Sequence, residues 1–354
     1  MWLSMVVLGA LVLPGCSAED EPTEPEATQP EKTETAEAPS GAEAPSGAEG
    51  PVLGASHELL PDPGGDGVLL LTGPPELEPA GEPLRLWRWD GTAWSEVPAT
   101  GDVPPQRAYF GSAYDAGRGV VVLFGGELEK EQSDTVWEWD GETWAAHDVA
   151  GPGPRLSTAM AYDDAGQIVL YGGDDQRGIR NDTWGWDGRR WERLAADGPR
   201  PARWPGAFVD VAGGGPLLVG GHQVVNEDLP AALGDTWLWD DGWQEVAGAG
   251  APPRLVNAKA VVHPERGTLL VGGADLQAAG GDVLRWSGTA WEMFAEDVFP
   301  ERQAFGLAYD AGRDVMVLTG GVVEPGQTDR HQDVWEWSGD PAEPAVQVHD
   351  APAA

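Results

Sequence analysis

One cysteine in 354 residues permits neither an intramolecular disulfide nor a thiolate metal site, so the fold must be held by packing. Basic side chains are scarce: 21 Lys and Arg stand against 59 Asp and Glu, a net charge of −38. Nucleic acid is thereby excluded as a partner, because binding it needs a basic footprint to displace counterions. Electrostatic docking onto anionic lipid is disfavoured for the same reason. The only long apolar run, within Met1–Leu13, is too short to span a bilayer as a helix. Six histidines show no metal-ligand spacing, and neither a nucleophile elbow nor a phosphate loop is present. No catalytic residue, metal or other cofactor is therefore assigned.

Glycine, proline and tryptophan are abundant, at 50, 31 and 18 residues. Glycine punctuation between short apolar runs marks an all-β repeat array. The apolar start has the length of a signal-peptide core. It ends in Leu13-Pro14-Gly15-Cys16, which resembles a bacterial lipobox; that resemblance implies cleavage before Cys16 and its lipidation. Residues 1–15 are accordingly read as a lipoprotein signal peptide, and the expected location is the bacterial cell envelope, with membrane contact through the lipid alone. Residues 16–55 carry ten acidic residues against Lys32 and almost no large apolar side chains, with A-P-S-G-A-E twice. Such a stretch buries too little to offset chain entropy and is expected to be a disordered acidic tether.

From 56 to 350 one unit recurs six times. Trp-x-Trp stands at Trp87/Trp89, Trp137/Trp139, Trp184/Trp186, Trp237/Trp239 and Trp335/Trp337, with Leu284/Trp286 as a degenerate copy. The second positions are 50, 47, 53, 47 and 51 residues apart. An apolar run and a glycine pair precede most copies, as in Val120–Phe124 before Gly125-Gly126. Each unit reads as four strands: a small-residue strand, an apolar strand buried on both faces, the Trp-x-Trp strand, and a fourth after an Asp-Gly hairpin turn. Sheets of this kind hide their indoles by stacking in a ring. Period, Gly-Gly and downstream Trp together resemble the kelch repeat of kelch propellers and of galactose-oxidase-like central domains. The resemblance implies an all-β, six-bladed kelch-type propeller with four antiparallel strands per blade.

Tight turns should share one face of the ring, and the variable loops the other, where function usually lies. Turn residues on the first face, such as Arg118, are expected to play no part in binding. An Arg opens five copies (Arg107, Arg155, Arg203, Arg254, Arg302) and would ring the variable face. A guanidinium fork suits carboxylated ligands, yet it equally suits loop carbonyls or the recurring Asp134, Asp182, Asp235, Asp282 and Asp333. Copy four adds Trp204 beside Arg203, His222 after its glycine pair, and the longest loop, Gln223–Gly234. These residues are candidates for binding a protein or glycan partner. The lone Cys16 excludes the Tyr–Cys radical chemistry of galactose oxidase relatives. The expected role is binding or scaffolding, with an activity like that of kelch-type sialic-acid mutarotases as the alternative.

Overall fold

The structure is a computed structural model and describes residues 50–54, 56–65, 67–73, 82–98, 100–129, 131–211, 214–226, 229–246, 255–273, 281–323 and 330–349. The signal peptide with Cys16, most of the tether and Arg254 lie outside the described residues. The rest is a six-bladed β-propeller, each blade an antiparallel sheet folded from one contiguous stretch. Blade 1 is His57–Pro61, Val68–Thr72, Arg85–Trp89 and Trp94–Glu96; blade 2 is Gly111–Asp115, Val120–Phe124, Val136–Trp139 and Thr143–His147. Blade 3 is Ala159–Asp163, Gln167–Tyr171, Thr183–Trp186 and Trp191–Ala195; blade 4 is Trp204–Val209, Leu217–Asn226, Thr236–Trp239 and Trp243–Glu245. Blade 5 is Lys259–His263, Gly267–Val271, Val283–Trp286 and Trp291–Ala295; blade 6 is Gln303–Asp310, Val315–Val322, Val334–Trp337 and Val346–His349.

The first strands face the axis, each packing on the next, with that of blade 6 against that of blade 1. Second strands are apolar because both their faces are covered; Val68, Leu69, Leu70 and Leu71 are fully buried. The core is divided among the gaps between blades. Leu69, Leu71, Phe110, Val121 and Trp139, for example, fill the gap between blades 1 and 2. Trp89, Trp139, Trp186 and Trp337 are the largest side chains sealed in these wedges. Across the Asp-Gly turn the second Trp meets the Trp opening the fourth strand, as in Trp139–Trp144 at 5.5 Å and Trp186–Trp191 at 5.3 Å between ring centroids. Blade 6 lacks that partner, and Phe299 of blade 5 covers Trp337 instead, at 6.0 Å.

A clasp joins neighbouring blades on the tight-turn face, and Arg118 is part of it. Its Nε donates to Asp115 (2.8 Å) and its Nη1 to Glu138 (2.6 Å), which also accepts from Trp186 Nε1 of blade 3 (2.7 Å). Gly188 of blade 3 must be glycine: its φ is +88°, and a Cβ there would lie 2.6 Å from the Arg118 guanidinium. The same group closes the ring. Arg313 binds Asp310 and Glu336, Trp89 Nε1 of blade 1 donates to Glu336 (2.7 Å), and Gly91 lies beneath Arg313. The seam between blades 6 and 1 is thus closed by side chains, with no strand exchanged. Leu53, from the stretch assigned to the tether, belongs to this seam: it is buried, and its N–H donates to Gln332.

Candidate functional site

Connections between blades, and the loops from second to third strands, gather on the upper face, where the sequence places its candidate arginines. Arg107, Arg155, Arg203 and Arg302 are each 3% exposed or less. Each donates Nη1 to the carbonyl of a glycine: Gly125 (2.9 Å), Gly172 (2.9 Å), Gly220 (3.2 Å) and Gly320 (3.0 Å). Three also pair with an aspartate of their own blade. Arg155 meets Asp182 at 2.8 Å, Arg302 meets Asp333 at 2.8 Å, and Arg203 grips both oxygens of Asp235. Burial works against ionisation of these aspartates, but the bonds from arginine and from the neighbouring indole prevail and hold their carboxyls below the usual range. The four arginines are thus buried within the framework, bonded to its carbonyls and aspartates.

Two blades depart by one residue. In blade 5 it is Leu255, not Arg254, that takes the arginine's place: Gly221 N–H donates to the Leu255 carbonyl (3.0 Å) as Gly126 N–H does to that of Arg155 (3.1 Å). Leu255 is buried there, and Asp282 accepts instead from the Asp297 N–H. In blade 2 the aspartate's place belongs to Thr135, whose carbonyl receives the Gly125 N–H (3.3 Å), while Asp134 is exposed. Arg107 has no carboxylate partner among the described residues, and burial pushes its pKa down to about 10.

Trp204 and His222 face each other across blade 4, ring centroids 4.9 Å apart. What the sequence presents as the long loop is a β-ribbon: the second strand runs on to Asn226 and returns as Leu229–Ala232. Trp204 and His222 stack at its root, with Ala232 packed on Val256 of the next blade. Burial lowers the His222 pKa.

The site that the sequence did not single out is the axial cavity, about 800 Å³, lined by the first strands of all six blades. Small side chains such as Gly111, Ala113, Ala159, Ala161 and Ala308 keep it open. At its upper mouth the residues leading into the first strands link blade to blade. Tyr109 N–H donates to Ser56 Oγ (2.6 Å), Ser157 N–H to the Tyr109 carbonyl (2.7 Å), and Ala304 N–H to the Asn257 carbonyl (3.3 Å). Tyr109, Ser157, Asn257 and Ala304 all adopt positive φ, a local strain imposed by the surrounding packing.

Charge is divided along this cavity. Its upper part holds His57, Glu58, Lys259 and Arg330. Lys259 Nζ lies 2.7 and 2.8 Å from the two Glu58 oxygens. Among the described residues, Arg330 donates to the Ala304 carbonyl alone, at 3.5 Å, and forms no ion pair with a carboxylate. His57 is buried, and desolvation with the nearby Arg330 and Lys259 charges lowers its pKa to about 4, leaving it neutral at pH 7. The lower end is acidic: burial, then the charges of Asp164 and Asp163, raise the Asp210 pKa to about 6. No cluster of three or more His, Cys, Asp or Glu suited to a metal occurs among the described residues.

No protein-family model matches the sequence, and no curated protein matches it significantly. Among solved structures, that of YjhT matches with a TM-score of 0.64 at 14% identity, over 84% of this chain and 98% of that one. At that identity the likeness establishes the fold alone.

Proposed function

We propose that this chain is an envelope-anchored binding protein, a kelch-type propeller held on a lipidated Cys16, whose cavity mouth receives a small ligand bearing a carboxylate, such as a sugar acid. The observation that carries this reading is Arg330, a guanidinium lining the cavity beside Lys259 with no carboxylate of its own among the described residues. In a chain of net charge −38, cations gathered in one cavity stand apart from the rest of the molecule. A guanidinium offers paired donors that match a carboxylate, and low local dielectric strengthens the contact. The Tyr109 and Ser157 side chains and the Asn257 amide line the same mouth and can hold hydroxyls of the ligand. A volume of about 800 Å³ lies in the range of small-molecule sites. The acidic lower end repels an anion and so favours entry from above. Gly-Gly and Trp-x-Trp at their spacing support the kelch reading, and the Leu13–Cys16 motif supports the anchor.

The test is a thermal-shift panel on the full chain, comparing carboxylated compounds with uncharged analogues: glucuronate with glucose, N-acetylneuraminate with its methyl ester. Ligand at a hundredfold above Kd stabilises by about 2.7 kcal/mol. Stabilisation confined to the carboxylates, and lost in Arg330→Met, is expected. Equal stabilisation by the uncharged partners would overturn the reading.

A further inference from the structure

Lys259 already holds a carboxylate, and the one it holds is not required by the fold. Glu58 is the second residue of its first strand. Its counterparts, set by the residue two before each glycine pair on the second strand, are Ser112, Met160, Phe208, Ala260 and Leu307, none of them acidic. Counterparts of Lys259 at the preceding position are His57, Gly111, Ala159, Ala207 and Gly306, none of them a lysine. The repeat is thus built six times without this pair, which joins blade 5 to blade 1 past the intervening blade 6.

Nor is the pair sealed in packing. The Lys259 and Glu58 side chains are 31% and 29% exposed, within the cavity lining, whereas Arg155 and Arg302 of the framework pairs are 3% exposed. Glu58 accepts no other side-chain hydrogen bond from the described residues. A solvated pair of this kind contributes little to stability and exchanges readily. Charge points the same way. Among the described residues, the upper lining carries two cations, Lys259 and Arg330, against the single carboxylate of Glu58, with His57 neutral. One further monoanion balances it.

We propose that Glu58 is a built-in placeholder: its carboxylate occupies the seat on Lys259 that a monocarboxylate ligand takes on binding, and so sets the affinity of the site. The inference rests on the reading of the cavity mouth as a carboxylate site. Exchange leaves Lys259 paired in both states, so the ligand need not first meet a bare ammonium. Glu58, once displaced, turns to water in the cavity. Weak anions are rejected because they must outcompete a carboxylate already tethered in place.

The experiment uses acetate, the bare carboxylate, titrated into the full chain labelled with 15N-lysine. The chain has only Lys32, Lys130 and Lys259, so the Nζ signal of Lys259 is assigned by its loss in Lys259→Met. Glu58→Gln keeps the shape and removes the competitor. Acetate is expected to move the Lys259 signal in both proteins, with an affinity about fivefold or more tighter in the Glu58→Gln chain. As a readout independent of that variant, the Glu58 side-chain 13C signal of the unmutated chain moves on acetate saturation. An unchanged or weaker affinity in Glu58→Gln, or an unmoved Glu58 signal, with acetate still reaching Lys259, overturns the placeholder and leaves the carboxylate site standing. No movement of Lys259 in either protein overturns both.

Discussion

Replacing Arg155 by methionine should destabilise the propeller far more than the same change at Arg107, although the two occupy equivalent places. Arg155 is 3% exposed and binds Asp182, itself 7% exposed, together with the carbonyls of Gly172 and Pro152. Methionine leaves the Asp182 carboxylate buried with only the Trp184 indole bonded to it, and Arg193 at 3.9 Å. Breaking a buried pair by removing one member costs about 3–5 kcal/mol; Arg193 places the expected loss near the lower figure. Arg107 leaves no carboxylate behind. It forfeits bonds to the Pro105 and Gly125 carbonyls but also sheds the desolvation of a buried guanidinium. The net loss should be about 0–2 kcal/mol. Blade 5 already carries Leu255 at this place, so an apolar side chain fits. Urea unfolding followed by tryptophan fluorescence measures both, with unchanged m-values as the check on compactness. Proton linkage adds a second signature. The Asp182 carboxyl is held below its unfolded value, so the stabilisation it gains from Arg155 is present above the usual carboxylate range and fades as pH falls below about 4. The Arg155→Met deficit should shrink there. An Arg107→Met loss equal to or above that of Arg155→Met would refute the assignment of these arginines.

Arg118→Ala should lower stability by about 1–2 kcal/mol, the scale of a hydrogen bond to a charged group, through the clasp between blades 2 and 3; no measurable change would count against the clasp. His57 ionises near pH 4 in the fold and near 6.5 when unfolded, so stability should fall by up to about 3 kcal/mol as pH drops from 6.5 to 4. His57→Gln should flatten that profile in pH-dependent urea titrations, and an unchanged slope would place the titration elsewhere. Cys16→Ser should release the protein from the membrane fraction, since stable anchoring rests on the acylated residue; retention as firm as before would dismiss the lipobox.

The ring itself was legible because its determinants are local and repeated. Gly-Gly, Trp-x-Trp and Asp-Gly each serve one backbone turn or one wedge, and six copies at one period leave a closed array as the way to pack the seventeen indoles of the repeats. Register was harder. Leu255 holds the place the sequence assigns to Arg254, and Asp134 looks like a member of its series yet is one residue out of place, which exchanges a buried position for an exposed one. The ribbon of blade 4 was hidden for a related reason: its second strand runs through Gly220-Gly221, as that of blade 6 runs through Gly320-Gly321, whereas the pair follows the strand end in blades 2, 3 and 5. The candidate site was least visible. Lys259 and Arg330 come from a first strand and a loop 71 residues apart, and only ring closure brings them together with Glu58. The signal that was available is departure from the repeat, a lysine and a glutamate where other copies carry none.

The most direct test of the central claim is a crystal structure of the propeller with a stabilising carboxylated compound bound. The account predicts the ligand carboxylate at the upper cavity mouth, bonded to Lys259 Nζ and the Arg330 guanidinium, with the framework arginines still on their aspartates. A ligand seated instead on Trp204 and the blade 4 ribbon, or at the acidic lower end beside Asp210, would contradict it.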